Sequence, residues 1–520
     1  MAFPSTNVMR CTRRFRVSLG FYHMAQRLAL TLLLFVGALA ATPYAAHAAP
    51  PAAPLAPQLE HTSDYRTPVA RQVHIVPSIS GPSLLMLFGG GGSQAKILRE
   101  MGNVSIFATD DIARAIEGFY GQPKAKTIWV DAGGPTSKAI QALSFLKQAD
   151  DWGLNAGDYT VRQAYTQFPR GSTERTQALA QFEASLSAKF LMFLQDNYRG
   201  RIDPNALSHY YDFKRKSLDL VATLNELGLA PNLSLVVKRV VPDNEKFAQL
   251  AIELQFLRSS SASSKTFADI NKVVVAMEEL RWLPREFPDR YVFINQPAYM
   301  AYYHENGQLA LSMKAVIGQQ DHQTNFFNAT IKTVEFNPDW GVPQSIIQNE
   351  MLPKLRRDPN YLDREGYKVS VKGKMMPSAK VDWSQPLDNI SVVQPPGPEN
   401  ALGRLKILFP NPHAIYMHDT PARGKFASQD RMFSHGCIRL QNPQAMAAAV
   451  LKTSVDFVDG QIADGAKKEM PVPEELPVYV AYFTAWPTAD GIVHYYDDIY
   501  GRDAETLNAI AAITASRSNT

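Results

Sequence analysis

The sequence predicts an α+β chain: a mostly helical scaffold domain, then a β-rich domain carrying a lid insertion. Three observations support this reading. Apolar residues recur at helical spacing between about residues 97 and 237, and the period becomes that of strands after Pro284. Between Gly341 and Gly403 a stretch rich in Pro, Asp and Asn interrupts the strand region, too long for a simple loop. The 520 residues suffice for roughly two to four domains, each with its own core.

Residues 1–48 read as an export signal. Arg10, Arg13, Arg14, Arg16 and Arg27 precede or flank an apolar run over 28–41, and Ala46-His47-Ala48 offers a small-x-small cleavage site. The run is shorter than the ~20 residues a membrane span needs, so no span is expected in the mature chain. Without those five arginines, 48 basic residues face 49 acidic ones, about −1, and a nucleic-acid partner is not expected.

Residues 49–95, rich in Ala and Pro with a glycine run at 89–92, are expected to form a linker. The scaffold domain spans 96–245, with helices expected at 136–148 and 178–197; the second shows Leu179, Phe182, Leu186, Phe190, Phe193 and Leu194 on its apolar face and stops near Gly200. Residues 246–284 read as a short helical connector, broken by serines at 259–264, with a helix over 269–280. The β-rich domain covers 285–475. Strands are expected at 291–295, 299–303 and 309–317, the last two joined through Asn306-Gly307, a pair that accepts positive φ. A buried strand over 414–418 follows the insertion, and Asn442-Pro443 opens a helix through Leu451. Residues 476–520 are expected to pack on this domain.

After signal removal one cysteine remains, Cys437, within Ser434-His435-Gly436-Cys437-Ile438-Arg439. An exported protein meets oxidising conditions, which penalise an idle thiol, so Cys437 is a candidate nucleophile. His418 ends a predicted strand 19 positions upstream and is the candidate general base and acid, since a free thiol of pKa ~8.5 needs help to become thiolate. His435 and Gly436 would shape the oxyanion loop, where backbone amides converge. Arg439 could clamp a substrate carboxylate. Ser434 and Tyr416 are further substrate contacts, Tyr416 because it alternates with His418 along its strand. A zinc site from His418, His435 and Cys437 is chemically conceivable but lacks a paired cysteine or a His-x-x-x-His spacing, so no metal or other cofactor is expected.

His418, followed after fifteen residues by Ser434-His435-Gly436-Cys437, resembles the signature of the L,D-transpeptidase family. Wider blocks are similar to its large, YcbB-like branch: Arg281-Trp282-Leu283-Pro284, Phe336-Asn337-Pro338-Asp339-Trp340, Asn400-Ala401-Leu402-Gly403, Phe409-Pro410-Asn411 and Tyr482-Phe483-Thr484-Ala485-Trp486. The resemblance implies peptidoglycan crosslinking. Cys437 would attack the third residue of a donor stem tetrapeptide, release D-alanine, and pass the acyl group to an amine of a neighbouring stem. It also implies periplasmic localisation, carbapenem acylation of Cys437, Trp340 in the donor cleft, the insertion as a lid, and other cell-wall synthesis proteins as partners. Alternatives are an L,D-carboxypeptidase, a protein-to-wall attachment enzyme, or a non-catalytic wall-binding scaffold. Two features depart from the branch. The connector lacks the Asp-Gly-x-x-Gly turn of a peptidoglycan-binding module, and residues 319–325 read Gln-Gln-Asp-His-Gln-Thr-Asn where a basic residue and Thr-Pro are usual.

Overall fold

A computed structural model describes residues 70–75, 92–122 and 125–518. The expected signal segment, most of the linker and all of the glycine run but Gly92 lie outside these residues. Within the expected linker, Arg71–His74 forms a strand paired antiparallel with Ser105–Ala108.

The scaffold half is organised around helix α1, Thr173–Arg199, whose second half is buried nearly all round. The Ser172 hydroxyl caps it by accepting from the Arg175 amide at 3.1 Å. It ends at Gly200, with φ +79°, where a β-carbon would lie 2.7 Å from Glu278 and 2.8 Å from Trp282. Only glycine permits that approach. Shorter helices at Asp110–Tyr120, Ser137–Lys147, Leu220–Leu229 and Leu233–Val240 close one apolar core around α1.

The connector is a helical hairpin. Helix α2, Glu245–Ser259, is capped by Asn244 and α3, Ser264–Leu280, by Ser263, so the serine break supplies the second cap. Buried polar bonds fasten this hairpin to the scaffold: Arg201 to Glu278 at 3.1 Å, and Arg281 to the Trp152 carbonyl at 2.6 Å.

The β-rich domain is built from strands β1 (Tyr211–Asp212), β2 (Tyr291–Asn295), β3 (Met300–Glu305), β4 (Gln308–Gly318), β5 (Phe326–Phe336), β6 (Leu405–Leu408), β7 (Met417–His418), β8 (Met432–Ser434), β9 (Ile438–Leu440) and β10 (Lys468–Ala481). The path runs β6-β7-β9-β4-β3-β2-β10-β5, and β5 pairs again with β6, so eight strands close into a barrel. Closure removes the exposed edges that an open sheet would present. Alternation along the strands sorts the residues: Val292, Ile294, Val478 and Val480 face the barrel core, while Phe293, Tyr479 and Ala481 pack outward against α2 and α3. Helix α4, Pro443–Leu451, opens at the expected Asn442 cap and contributes Met446, Ala447 and Val450 to the barrel core. Asn306 and Gly307 form the β3–β4 turn with φ of 53° and 71°. Helix α5, Arg502–Ser518, belongs to the C-terminal segment and packs with the connector hairpin and the outer sheet face.

The insertion is more ordered than its sequence pattern suggests. Strands Trp340–Gly341, Lys368–Val371, Lys374–Met375 and Ile390–Gln394 form a small sheet over a core of Ile347, Met351, Leu362, Val369 and Val392. Asn400 ties its return limb to its entry, donating to the carbonyls of Pro338, Gln394 and Pro395.

Candidate active site

Cys437 sits on the loop between β8 and β9, where β9 runs parallel to β7. The register pairs Met417 with Ile438 and His418 with Arg439, and the Ile438 amide donates to the Tyr416 carbonyl at 3.0 Å. Tyr416 therefore lies across from Cys437, and His418 lies one step further along, across from Arg439. Alternation puts all four side chains on one face. The structure thus brings Cys437, His418, Tyr416 and Arg439 together. The thiol is directed to the Ala414 carbonyl at 3.6 Å, and no hydrogen bond joins it to His418. Ala414 adopts φ 53°, and the strand expected over 414–418 is reduced to Met417–His418. Asn411 holds that loop, donating to the carbonyls of Phe409 and Ile415 and accepting from the amides of His413 and Ile415.

His418 is buried, and its Nδ1 lies 2.5 Å from the Asp419 carbonyl. A carbonyl only accepts, so Nδ1 carries the proton and Nε2 is left as the basic nitrogen. Burial, then the neighbouring Arg439 charge, pulls the imidazole pKa down to about 3. The Asp419 carboxylate is used elsewhere: it accepts from the Arg404 amide at 2.8 Å and the Thr420 amide at 2.7 Å, and it pairs with Arg423. Its backbone carbonyl, not its side chain, orients the imidazole. Burial also raises the thiol, opposed by bonding to Tyr416 and by the Arg439 charge. Burial thus works against the charged form of both the thiol and the imidazole.

The loop itself is built by Ser434 and Gly436. The Ser434 hydroxyl donates to the Cys437 carbonyl at 2.6 Å and accepts from the Gly436 amide at 3.1 Å. Its single proton is thus committed to the loop, and the residue is buried. The Gly436 amide is likewise engaged. Gly436 has φ +108°, a conformation that side chains resist. His435 is exposed, with its Nε2 2.9 Å from Glu350 of the insertion and its ring 4.8 Å from His322. Trp340 pairs with Gln394 and packs, half-buried, against the insertion's own core.

Arg439 is partly buried, its Nε has no hydrogen-bond partner, and no carboxylate pairs with it among the described residues. Burial lowers its pKa. A structural ion pair is therefore not its role, and a guanidinium left without an acceptor beside the nucleophile is suited to an incoming anion. Sequence reasoning missed Ala414 and Glu350, and marked His322 and Thr324 only as part of the departing 319–325 segment. None lies within a chemical motif, and each reaches the loop through tertiary structure alone. Among the described residues no group of three or more His, Cys, Asp or Glu side chains is placed to hold a metal, and no helix is long and apolar enough to cross a membrane.

A closed barrel with a cysteine and a buried histidine on adjacent parallel strands, flanked by an unpaired arginine, defines a class of thiol-based site. Comparison with known proteins narrows it. The YkuD family, described as an L,D-transpeptidase catalytic domain, matches residues 289–464, and the Scaffold domain family matches residues 114–254. A Haemophilus influenzae protein named "Putative L,D-transpeptidase" is 30% identical over 277 residues, covering 52% of this chain and 55% of that protein. The chain thus spans about half the length of the curated relative it matches. A solved L,D-transpeptidase from Mycobacterium smegmatis shares 13% identity over 37% of this chain and 58% of that one, with a TM-score of 0.19. The LD transpeptidase LdtMt1, solved with imipenem, shares 13% over the same fractions at 0.18. Both scores are too low to bear on the fold. The chain thus places a Scaffold domain, residues 114–254, ahead of a YkuD L,D-transpeptidase catalytic domain, residues 289–464, the YcbB-like architecture.

Proposed function

We propose that the protein is a peptidoglycan L,D-transpeptidase acting through a thioester on Cys437. One observation carries the reading: the parallel β7–β9 register sets Cys437, Tyr416, His418 and an unpaired Arg439 on one face. The donor is a stem tetrapeptide whose carboxylate engages Arg439. The thiol leaves the Ala414 carbonyl and gives its proton to Nε2 of His418 as sulfur attacks the carbonyl of the third residue. The amides of His435 and Cys437 hold the oxyanion, the Gly436 amide being occupied by Ser434. Collapse breaks the peptide bond to D-alanine, whose amine takes the proton back from the imidazolium. The amine of a neighbouring stem then attacks the thioester, His418 removes its extra proton, and the thiol is restored.

The acidic side of Glu350, on the insertion beside His435, supports the insertion's role as a lid over this chemistry. Export to the periplasm follows from the sequence signal. Incubating the purified protein with muropeptide tetrapeptides tests the proposal. Crosslinked dimers that vanish in Cys437→Ala are expected, as is a carbapenem adduct on Cys437. Tripeptide alone would favour a carboxypeptidase, and no turnover with no adduct would favour a non-catalytic wall-binding scaffold.

A further inference from the structure

The turn joining β4 to β5, the segment whose sequence departs from the family, is wedged against the catalytic loop. Gly318, at its start, pairs with Ser434, and the Gln319 amide donates to the Ser434 carbonyl at 2.9 Å. The Thr324 hydroxyl accepts from the Gly318 amide at 2.9 Å and donates to the Gly436 carbonyl at 2.8 Å, so one side chain spans turn and loop. The turn is tight: a β-carbon at Gly318 would lie 2.1 Å from the His322 carbonyl oxygen.

The C-terminal segment grips the same turn from its other side. The Tyr500 hydroxyl donates to the Gly318 carbonyl at 2.5 Å. Arg502 donates through Nη2 to the Gln323 side chain at 2.9 Å and to the Thr324 carbonyl at 2.8 Å. Its guanidinium is buried and centred 4.8 Å from the rings of Tyr482 and Tyr500, 5.4 Å from Tyr210 and 5.6 Å from Tyr211. Stacking of this kind fixes a cation in place. Asp498 holds the arrangement, accepting from the Tyr482 hydroxyl at 2.6 Å and the Arg502 amide at 2.8 Å.

The geometry points to Arg502 as a positioning residue for the oxyanion site, acting through Thr324, an inference that rests on the proposed acyl chemistry at Cys437. The Gly436 carbonyl and the Cys437 amide belong to one planar peptide unit and point in opposite directions. Fixing the carbonyl on Thr324 therefore aims the Cys437 N–H away from the turn, toward the space where an oxyanion forms. The C-terminal segment is part of the catalytic apparatus in this account.

Two probes of Cys437 separate aiming from general disruption. Acetylation by p-nitrophenyl acetate passes through an oxyanion, whereas alkylation by iodoacetamide does not. In full-length Thr324→Val and Arg502→Lys, the ratio of acetylation to alkylation rates is expected to fall about tenfold or more. Alkylation alone stays within about twofold of wild type, and the double variant is no worse than the more damaged single one. An unchanged ratio, losses that multiply in the double variant, alkylation falling in step with acetylation, or no acetylation of the wild type would each overturn the inference. Neither probe contains peptidoglycan, so a failure of muropeptide turnover would sink the proposed function without deciding this comparison.

Discussion

Replacing Arg439 with Gln tests whether its buried charge serves a ligand or the fold. The guanidinium lies two residues from Cys437, across from His418, with its Nε unpartnered. A hydrogen bond to a charged group contributes about 1.5–3 kcal/mol, which corresponds to a ten- to hundredfold loss in kcat/KM for a donor stem bearing the carboxylate. A donor amidated at that carboxylate is expected to lose little, because wild type already lacks the ion pair with it. The electrostatic consequences have definite signs. Arg439 lowers both the Cys437 and the His418 pKa, so the variant's thiol should titrate higher, seen as an upward shift in the pH midpoint of iodoacetamide alkylation. Stability should hold or rise, since the substitution removes a buried cation that has no partner. Steady-state kinetics with the paired donors and a thermal melt decide the matter. Equal losses on both donors, or a fall in Tm beyond about 5 °C, would show that Arg439 supports the fold instead.

Other expectations follow from the same geometry. His418 titrates at about 3 when folded against 6.5 unfolded, so below pH 6.5 the unfolded chain takes up a proton that the folded chain refuses. Stability associated with this group is complete above pH 6.5 and is lost as pH falls toward 3, by up to about 5 kcal/mol; denaturant melts of His418→Gln should show a flatter acid slope than wild type. Gly436→Ala forces a side chain onto φ +108° and should cost about 1–3 kcal/mol in a denaturant melt while abolishing Cys437 acylation. Glu350→Gln weakens a partly exposed pair, so its melt should move by less than about 1 kcal/mol, and proteolysis within 341–403 should quicken if the pair holds the insertion down.

Much of the architecture was legible because local patterns agree with the tertiary outcome. The strand at Tyr291–Asn295, the Asn306-Gly307 turn and the Asn442 cap each express a backbone preference that the barrel then uses. The insertion shows no strand pattern in sequence because its strands are only two to five residues long and no periodicity survives at that length. In the site, chain proximity exposed Cys437, His418, Gly436 and Arg439. At Ser434 the sequence shows a hydroxyl beside the nucleophile but not that its one proton goes to the Cys437 carbonyl. For Trp340 the sequence does not show the packing against the insertion's core. Thr324 lies in the flagged 319–325 segment, but its bond to the Gly436 carbonyl 112 positions away, and the reach of Arg502 to the Thr324 carbonyl, arise only from tertiary structure.

The central claim is acyl transfer onto Cys437 with His418 as the proton carrier. Acid-quenched intact mass measured during incubation with a disaccharide tetrapeptide addresses it most directly. The account predicts an adduct equal to the donor less D-alanine, on the peptide containing Cys437, absent in Cys437→Ala and forming far more slowly in His418→Gln at neutral pH. Turnover without that adduct's formation, or an adduct forming at the wild-type rate in His418→Gln, would contradict it.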